Sequence, residues 1–409
     1  MHILYFHQYF TTRQGSGGTR SYEMARRLVE RGHKVTMVCA SYSVSDTGLS
    51  GEFRKGNREG VVDGIRVIEF QLPISNKDSL PKRTWTFLKY SLRSCSVALF
   101  EKYDLAFATS TPLTAAIPAL AARWLRWKPY VFEVRDLWPE LPKAMGVVTN
   151  PVVLWAMGWL ERRAYKSATN CIGLAPGIVD GIAKYIPRSR VTLIPNGCDL
   201  QFLDSRETEK WRPEPLVDDD FVAVFTGTHG QANGLGAVLD AAKVLQARGN
   251  TQIKFLLVGD GKLKPKLQAR ANAENIENVI FHDSVSKTKI ASLLAGADMG
   301  LQILANIPAF YYGTSPNKFF DYLAAGKPVL TNYPGWVADL IAEHDCGVAV
   351  PPDDPEAFAD ALESLASDRD SIERKSVNSR ALAESEFDRG PLSDQFVDVL
   401  VQSYPGIGS

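Results

Sequence analysis

The sequence carries no excess charge of either sign: 46 Lys and Arg meet 46 Asp and Glu in 409 residues. That balance excludes the strongly basic footprint of a dedicated nucleic-acid binder, and no nucleic-acid partner is expected. Cysteine is scarce. The five cysteines, Cys39, Cys95, Cys171, Cys198 and Cys346, are scattered and never form a C-x-x-C pair, which argues against a disulfide framework and against a zinc site. Histidine is nearly as rare, at six, and neither His7 nor His33 has a partner at ligand spacing. No bound metal and no cofactor are expected. No run reaches the roughly 18 to 20 apolar residues that a spanning helix needs; the nearest, 144–160, is interrupted by Thr149, Asn150 and Pro151. The opening MHILYFHQYF lacks the basic leader and small-residue cleavage site of a signal peptide, so a cytoplasmic protein is expected. Low-complexity tracts are absent, and 45% hydrophobic with 22% charged residues excludes wholesale disorder.

The neutral total conceals an asymmetry. Residues 1–200 hold 27 Lys and Arg against 16 Asp and Glu, and the remainder holds 19 against 30. Either the basic half meets an anionic surface or substrate, or the two halves attract each other.

Hydrophobic runs alternate with helical patterns along the whole chain. The run 2–6 is followed by the glycine-rich GSGGTR at 15–20. A helix-spaced set, Met24, Ala25, Leu28 and Val29, comes next, and the apolar run 35–39 follows. Further strands are predicted at 64–70, 105–108, 130–134, 170–174 and 191–195. A polar stretch with Pro213, Pro215 and the acidic run Asp218, Asp219, Asp220 reads as a linker. A second series then runs through 221–225, 253–258, 279–281, 299–304, 328–331 and 347–350. Near-continuous apolar strands alternating with helices predict α/β architecture, with parallel sheets covered on both faces. The expected domains are 1–203, 204–388, and a helical segment 389–409 that crosses back to the first. Ligands of such sheets bind beyond the carboxyl ends of the strands.

The segment SPNKFFDYLAAGKPVL at 315–330 carries the clearest chemical signal. Ser315 is read as an N-cap and Pro316 as the first helical residue, with Gly326 and Pro328 ending the helix. Free N–H groups at that start, with Asn317 and Lys318 in the first turn, form a seat for a diphosphate, since a lysine there opposes the helix dipole unless an anion is present. Asp321, three residues on, is an acceptor-only group suited to a ribose diol.

Together with ILYFHQYF, RGHKVTMV, EVRDLWPE (133–140), LIPNGCD (193–199), FTGTHGQANGL (225–235) and LLVGDG (256–261), this segment resembles the retaining family 4 glycosyltransferases of the GT-B fold. Within them it is similar to bacterial amino-sugar (fucosaminyl-type) transferases of surface-polysaccharide assembly. The resemblance implies two Rossmann-like domains facing across a deep cleft. It also implies transfer of an N-acetylated amino or deoxyamino sugar from a UDP-sugar donor to a lipid-linked (polyprenyl diphosphate) or saccharide acceptor, in O-antigen or capsule synthesis. An epimerase of the same architecture and a non-catalytic nucleotide-sugar binder are the alternatives.

Roles carry over position by position. Gly17 and Gly18 match the loop that lets backbone approach the donor phosphate, and Gly227, Thr228, Asn233 and Val285 match the donor site. Lys318 and Asp136 are the catalytic candidates. Asp136, with Arg135 and Arg20 on the acceptor side, would orient or deprotonate the acceptor; a salt bridge or a turn before Pro139 competes for Asp136. His7 reads as structural or donor-lining, and His229 as lining the donor site. The family commonly has Arg and Lys where this chain has Thr228 and Asn233, and two glutamates where it has Gly313 and Asp321. Phosphate neutralisation is therefore expected to fall to Lys318, backbone amides and Arg20. The implied mechanism is front-face transfer with retention, in which the leaving diphosphate helps accept the proton.

Two stretches interleave basic and aromatic residues: 82–102, with Lys82, Arg83, Lys89 and Arg93 among Trp85, Leu88 and Leu92, and RWLRWK at 123–128. They suit either an anionic inner-membrane surface or, for Trp85, Leu88 and Leu92, a helix-spaced core stripe.

Overall fold

The structure, a computed structural model, describes residues 1–15, 17–43, 45–75 and 78–404. Positions 405–409 of the expected terminal segment lie outside the described residues. The chain forms two compact units. The first holds Met1–Pro195, Gly313–Ser315 and the chain from Gly390; the second holds Asn196–Tyr312 and Pro316–Arg389.

The first unit runs β1 (His2–Phe6), α1 (Arg20–Glu30), β2 (Lys34–Tyr42), β3 (Asn57–Val62), β4 (Ile65–Ile74), α2 (Leu80–Phe100), β5 (Leu105–Thr109), α3 (Ala116–Arg126), β6 (Tyr130–Val134), α4 (Glu140–Ala144), α5 (Pro151–Ser167), β7 (Asn170–Gly173), α6 (Pro176–Ala183) and β8 (Val191–Leu193). Its strands are ordered β3-β4-β2-β1-β5-β6-β7-β8. All neighbours pair in parallel except the edge hairpin β3–β4. That hairpin was not foreseen, although Asp63 and Gly64 supply the two left-handed residues (φ 48° and 79°) that a tight strand connection requires. Strands β1, β5 and β6 are buried almost throughout, and hence read as apolar runs.

Helix α2 turns Phe87, Tyr90, Ser91, Ser94 and Ala98 inward and leaves Trp85, Leu88 and Leu92 exposed. The core-stripe reading of those three residues is therefore wrong. One face of the helix is already filled by the buried set, whose spacing is offset from theirs by about half a turn.

The second unit runs β9 (Phe221–Thr226), α7 (Gly236–Ala247), β10 (Ile253–Val258), α8 (Lys264–Ala273), β11 (Val279–His282), α9 (Lys287–Gly296), β12 (Met299–Gln302), α10 (Asn317–Ala324), β13 (Val329–Thr331), α11 (Trp336–Glu343), β14 (Gly347–Ala349), α12 (Pro355–Ser367) and α13 (Arg369–Glu386). Its sheet is ordered β11-β10-β9-β12-β13-β14, all parallel. Phe225, Phe255, Leu257 and Leu301 are fully buried at its centre, each such side chain stabilising the fold by about 1.5–3 kcal/mol. Between β8 and β9 there is no regular strand or α-helix. There the Arg212 guanidinium donates to the Gly296 carbonyl at 2.7 Å, and Asp220 closes a turn by accepting from Val217 N at 2.8 Å.

The last helix, α14 (Arg389–Gln402), returns to the first unit. Phe396 packs edge-on to Phe107, ring centroids 4.9 Å apart, and Asp394 accepts from Arg27 Nε at 2.7 Å. In each sheet the strand order reverses beside one central strand, β1 in the first unit and β9 in the second. A crevice beyond that strand's carboxyl end is where such folds bind ligands.

Candidate functional site

In the second unit the reversal point is built from the end of β9 and the start of α10. Gly227 follows β9 at φ +146°, and a Cβ there would come within 3.2 Å of Lys318 Cε. Asn233, in the turn that follows, donates its amide to the Thr228 carbonyl at 2.7 Å and accepts from Lys318 Nζ at 2.9 Å. The same ammonium stands 4.5 Å from the Phe225 ring centroid. Burial holds its pKa down to about 7, because the charge has lost water without gaining a carboxylate. Helix α10 is fixed in register by Tyr322, one turn on from Lys318, whose hydroxyl accepts from Thr226 N at 3.0 Å. The structure thus brings Gly227, Thr228, Asn233 and Lys318 together, with Asn317 exposed at the first position of α10.

Two glycines hold the neighbouring strand end close. A Cβ on Gly259 (φ +149°) would lie 1.9 Å from the Gly227 carbonyl oxygen, and one on Gly261 would lie 2.5 Å from that of His229. Lys264 Nζ donates to the Gly259 and His282 carbonyls and to Asp283 Oδ1, tying the ends of β10 and β11 together. Val285 lies half-buried just beyond β11.

Two expectations for this unit change. Ser315 is not the N-cap: Pro316, at ψ 119°, occupies that place without a side-chain cap, and helical backbone begins at Asn317. His229 does not line an open site; it is fully buried between Phe225 and Phe281. Its pKa falls to about 4 through burial, with Lys264 adding to the effect. Asp321 is half-buried and its carboxyl pKa is raised by burial, against the pull of Lys287 and Arg389.

In the first unit the carboxyl ends of β1, β5 and β6 carry a buried charge network. Arg20 is 3% exposed and Glu133 wholly buried. The guanidinium donates to Glu133 Oε2 at 2.9 Å and to the Pro195 and Ile194 carbonyls. Every face of Arg20 is committed to protein, which overturns its expected role in neutralising donor phosphate. Glu133 also accepts from Thr109 Oγ1 at 2.7 Å. Burial alone would raise its pKa, yet Arg20 and Arg135 with these hydrogen bonds hold it below the ordinary value. A carboxylate inside the apolar run YVFEV was the signal for this pair, since a buried charge needs a partner.

Arg135 donates to Thr109 Oγ1 and to Ser21 Oγ, both at 2.9 Å, and is only half-buried. Asp136 is half-buried and accepts from Thr111 Oγ1 at 3.0 Å. Its pKa is raised by burial, with Thr111 and Arg135 pulling the other way. The expected salt bridge does not explain Asp136: its side chain is bonded by the hydroxyl of Thr111, whose backbone sits at φ +85°, costly for a β-branched residue. His7 is buried and held neutral by burial and by Arg135. Gly17 approaches Thr11 closely, a Cβ there falling 3.2 Å from Thr11 Cγ2, whereas Gly18 is exposed.

Residues 15–197 match the model of the glycosyl transferase 4-like domain, and residues 220–368 match that of glycosyl transferases group 1. The chain belongs to the family 4 glycosyltransferases. An alpha-D-kanosaminyltransferase of Streptomyces kanamyceticus is 25% identical to this family 4 chain over 259 residues, 62% of this chain and 64% of that protein. O-antigen chain mannosyltransferase C of Escherichia coli is 23% identical over 247 residues, 59% of this chain and 62% of that protein. The match therefore spans a little under two-thirds of the length of these curated relatives. The crystal structure of Anabaena HepE in complex with UDP-glucose superimposes with a TM-score of 0.68 at 17% identity, covering 98% of this chain and 100% of that one. The α/β class and the two parallel-sheet domains of the GT-B fold are as expected from the sequence.

Proposed function

We propose that the protein is a retaining glycosyltransferase. It moves an N-acetylated amino or deoxyamino sugar from a UDP-sugar to a lipid-linked (polyprenyl diphosphate) or saccharide acceptor, at the cytoplasmic face of the inner membrane, in O-antigen or capsule synthesis. The observation that carries this reading is Lys318: a half-buried ammonium held by the Asn233 amide oxygen and the Phe225 ring at the end of β9, where a diphosphate would supply the anionic partner. The amino-sugar transferase among the relatives and the UDP-glucose complex of the structural neighbour support the donor class.

In this reading Gly227, Thr228 and the N-terminal amides of α10 receive the diphosphate, and Lys318 stabilises the charge that grows on it as the anomeric C–O bond breaks. Asp321 takes the ribose diol, and Val285 lies by the nucleobase. On the acceptor side Asp136 orients the attacking hydroxyl, with Arg135 beside it. The new bond forms on the face the diphosphate leaves, so configuration is retained and the proton passes to the departing diphosphate. No metal is required, because Lys318 and the amides carry the neutralisation. The basic first unit meets the anionic membrane that carries the lipid-linked acceptor.

The test is thermal unfolding with UDP, GDP, ADP and CMP side by side, since a ligand of the native state raises its melting temperature. A shift selective for UDP supports the donor assignment. The absence of a shift with every nucleotide overturns it.

A further inference from the structure

On one side of the first unit, α3 packs against both α2 and α5. The outward surface of these helices is unusual for a folded domain. On α5, Val152, Trp155, Trp159, Arg163 and Lys166 fall at helical spacing on one stripe, and all are exposed, Trp155 at 67%. The end of α3 adds Trp124 and Leu125, with Trp127 just beyond it at 80% exposure. On α2, Trp85, Leu88, Leu92 and Phe100 form a second stripe, Trp85 at 59%. Large apolar side chains at this density on a water-facing surface mark an interaction site.

The charge on the same helices says what covers it. The three helices carry nine Lys and Arg and one acid, Glu161, and Glu161 is buried. Two copies of so cationic a face repel each other, and the exposed aliphatic side chains Val152, Leu125, Leu88 and Leu92 are groups that a nucleic acid leaves wet and acyl chains cover. Tryptophan beside lysine and arginine on a helix surface matches the boundary between acyl chains and anionic headgroups. On α5 the order is graded: the apolar residues occupy the first turns and the basic ones the last.

Helix α5 also adjoins the chemistry. Gly158 is buried, and a Cβ there would meet the Pro139 ring at 3.9 Å. Pro139 ends the loop that carries Arg135 and Asp136, so α5 adjoins that loop through its buried face, next to the exposed stripe.

We infer that α5, with the end of α3, is the element of the first unit that enters an anionic bilayer, and that it seats the Asp136 loop at the membrane surface. This rests on the membrane partner given under the proposed function. It adds which residues insert and ties them to the acceptor side.

The experiment is sedimentation of the full chain with phosphatidylglycerol–phosphatidylcholine vesicles at low salt, with quenching of tryptophan emission by brominated acyl chains. Wild type is expected to be captured and quenched, and less so as salt rises. The double variant Trp155→Ser/Trp159→Ser, both positions being exposed, is expected to keep its melting temperature. It should lose most of the quenching and bind roughly tenfold or more weakly, whereas Trp85→Ser should keep most of both. Capture and quenching undiminished in the double variant would overturn the role of α5 while leaving the membrane partner standing. Failure of wild type to be captured would overturn both. A wild-type dimer that the double variant dissolves, without capture, would assign the face to a second copy and overturn the inference.

Discussion

Arg20 and Glu133, 113 residues apart in the chain, meet at 2.9 Å as a buried ion pair at the carboxyl edge of the first sheet. Because neither partner reaches water, the pair acts on stability. Arg20→Met takes from the buried Glu133 the closer of its two guanidiniums, leaving Arg135 Nε at 3.3 Å, and is expected to cost up to about 3–5 kcal/mol, read as a shift of the urea unfolding midpoint. The double change Arg20→Met/Glu133→Leu should recover much of that loss. The sign with pH follows from the lowered carboxyl pKa. The contribution is present above the ordinary glutamate value and is lost as pH falls through the folded one. Arg20→Met should weaken that acid dependence, with Arg135 and Thr109 keeping the remainder.

In the proposed donor site, Lys318 would link nucleotide binding to a proton. Its ammonium titrates near pH 7 in the free protein, and a bound diphosphate favours the charged form. Calorimetry should find UDP affinity falling by up to about tenfold per pH unit above 7. Lys318→Met should abolish that slope relative to wild type and weaken binding below pH 7 roughly tenfold to a hundredfold. Equal slopes in the two proteins would remove Lys318 from the diphosphate site. Stability moves the other way: the unfolded chain binds more protons between about 7 and 10.5, so this lysine makes the fold more stable as pH rises through that window.

Asp136→Asn should abolish sugar transfer and leave the UDP-induced melting shift intact, since the residue belongs to the first unit. Because burial raises its pKa, the acid limb of transfer should lie at a higher pH than an ordinary aspartate would set. Removing the Thr111 hydrogen bond in Thr111→Val should push that limb further up, and Thr111→Ser should restore it. An acid limb that stays put in Thr111→Val would show that Asp136 is not the titrating group.

Gly259→Ala should destabilise the second unit by at least about 1–3 kcal/mol through its backbone angle alone. The Cβ at 1.9 Å from the Gly227 carbonyl should also displace the donor loop and abolish the UDP shift. Gly249→Ala is the control: it too has positive φ, but nothing lies within 4 Å of its Cβ, so the UDP shift should persist.

The double winding was legible because strands buried on both faces must be apolar throughout, and those runs stand out between amphipathic helices. The hairpin β3–β4 was missed although Asp63-Gly64 announces it, because β3 lies at the sheet edge with alternating exposure and offers no continuous run. Lys318 was legible from its place in a helix start and Asn233 as a donor-site position through the family resemblance, but the bond between them was not: they lie 85 residues apart, and only the closure of the sheet brings them together. Arg20 was misread for the same reason. A basic residue after a glycine loop suggests a phosphate ligand, and the competing carboxylate is two strands away in space. Trp85, Leu88 and Leu92 show the converse limit, since helical spacing alone does not say which of two apolar stripes faces the sheet.

The return of α14 to the first unit sets an order of synthesis. Phe107 belongs to a strand made early, yet the ring that covers it, Phe396, and the acid that holds Arg27, Asp394, leave the ribosome only after the whole second unit. The half of the molecule that is translated first is completed last. A nascent chain stalled before α14 therefore exposes the aromatic floor beneath β1 and β5 to solvent and to chaperones.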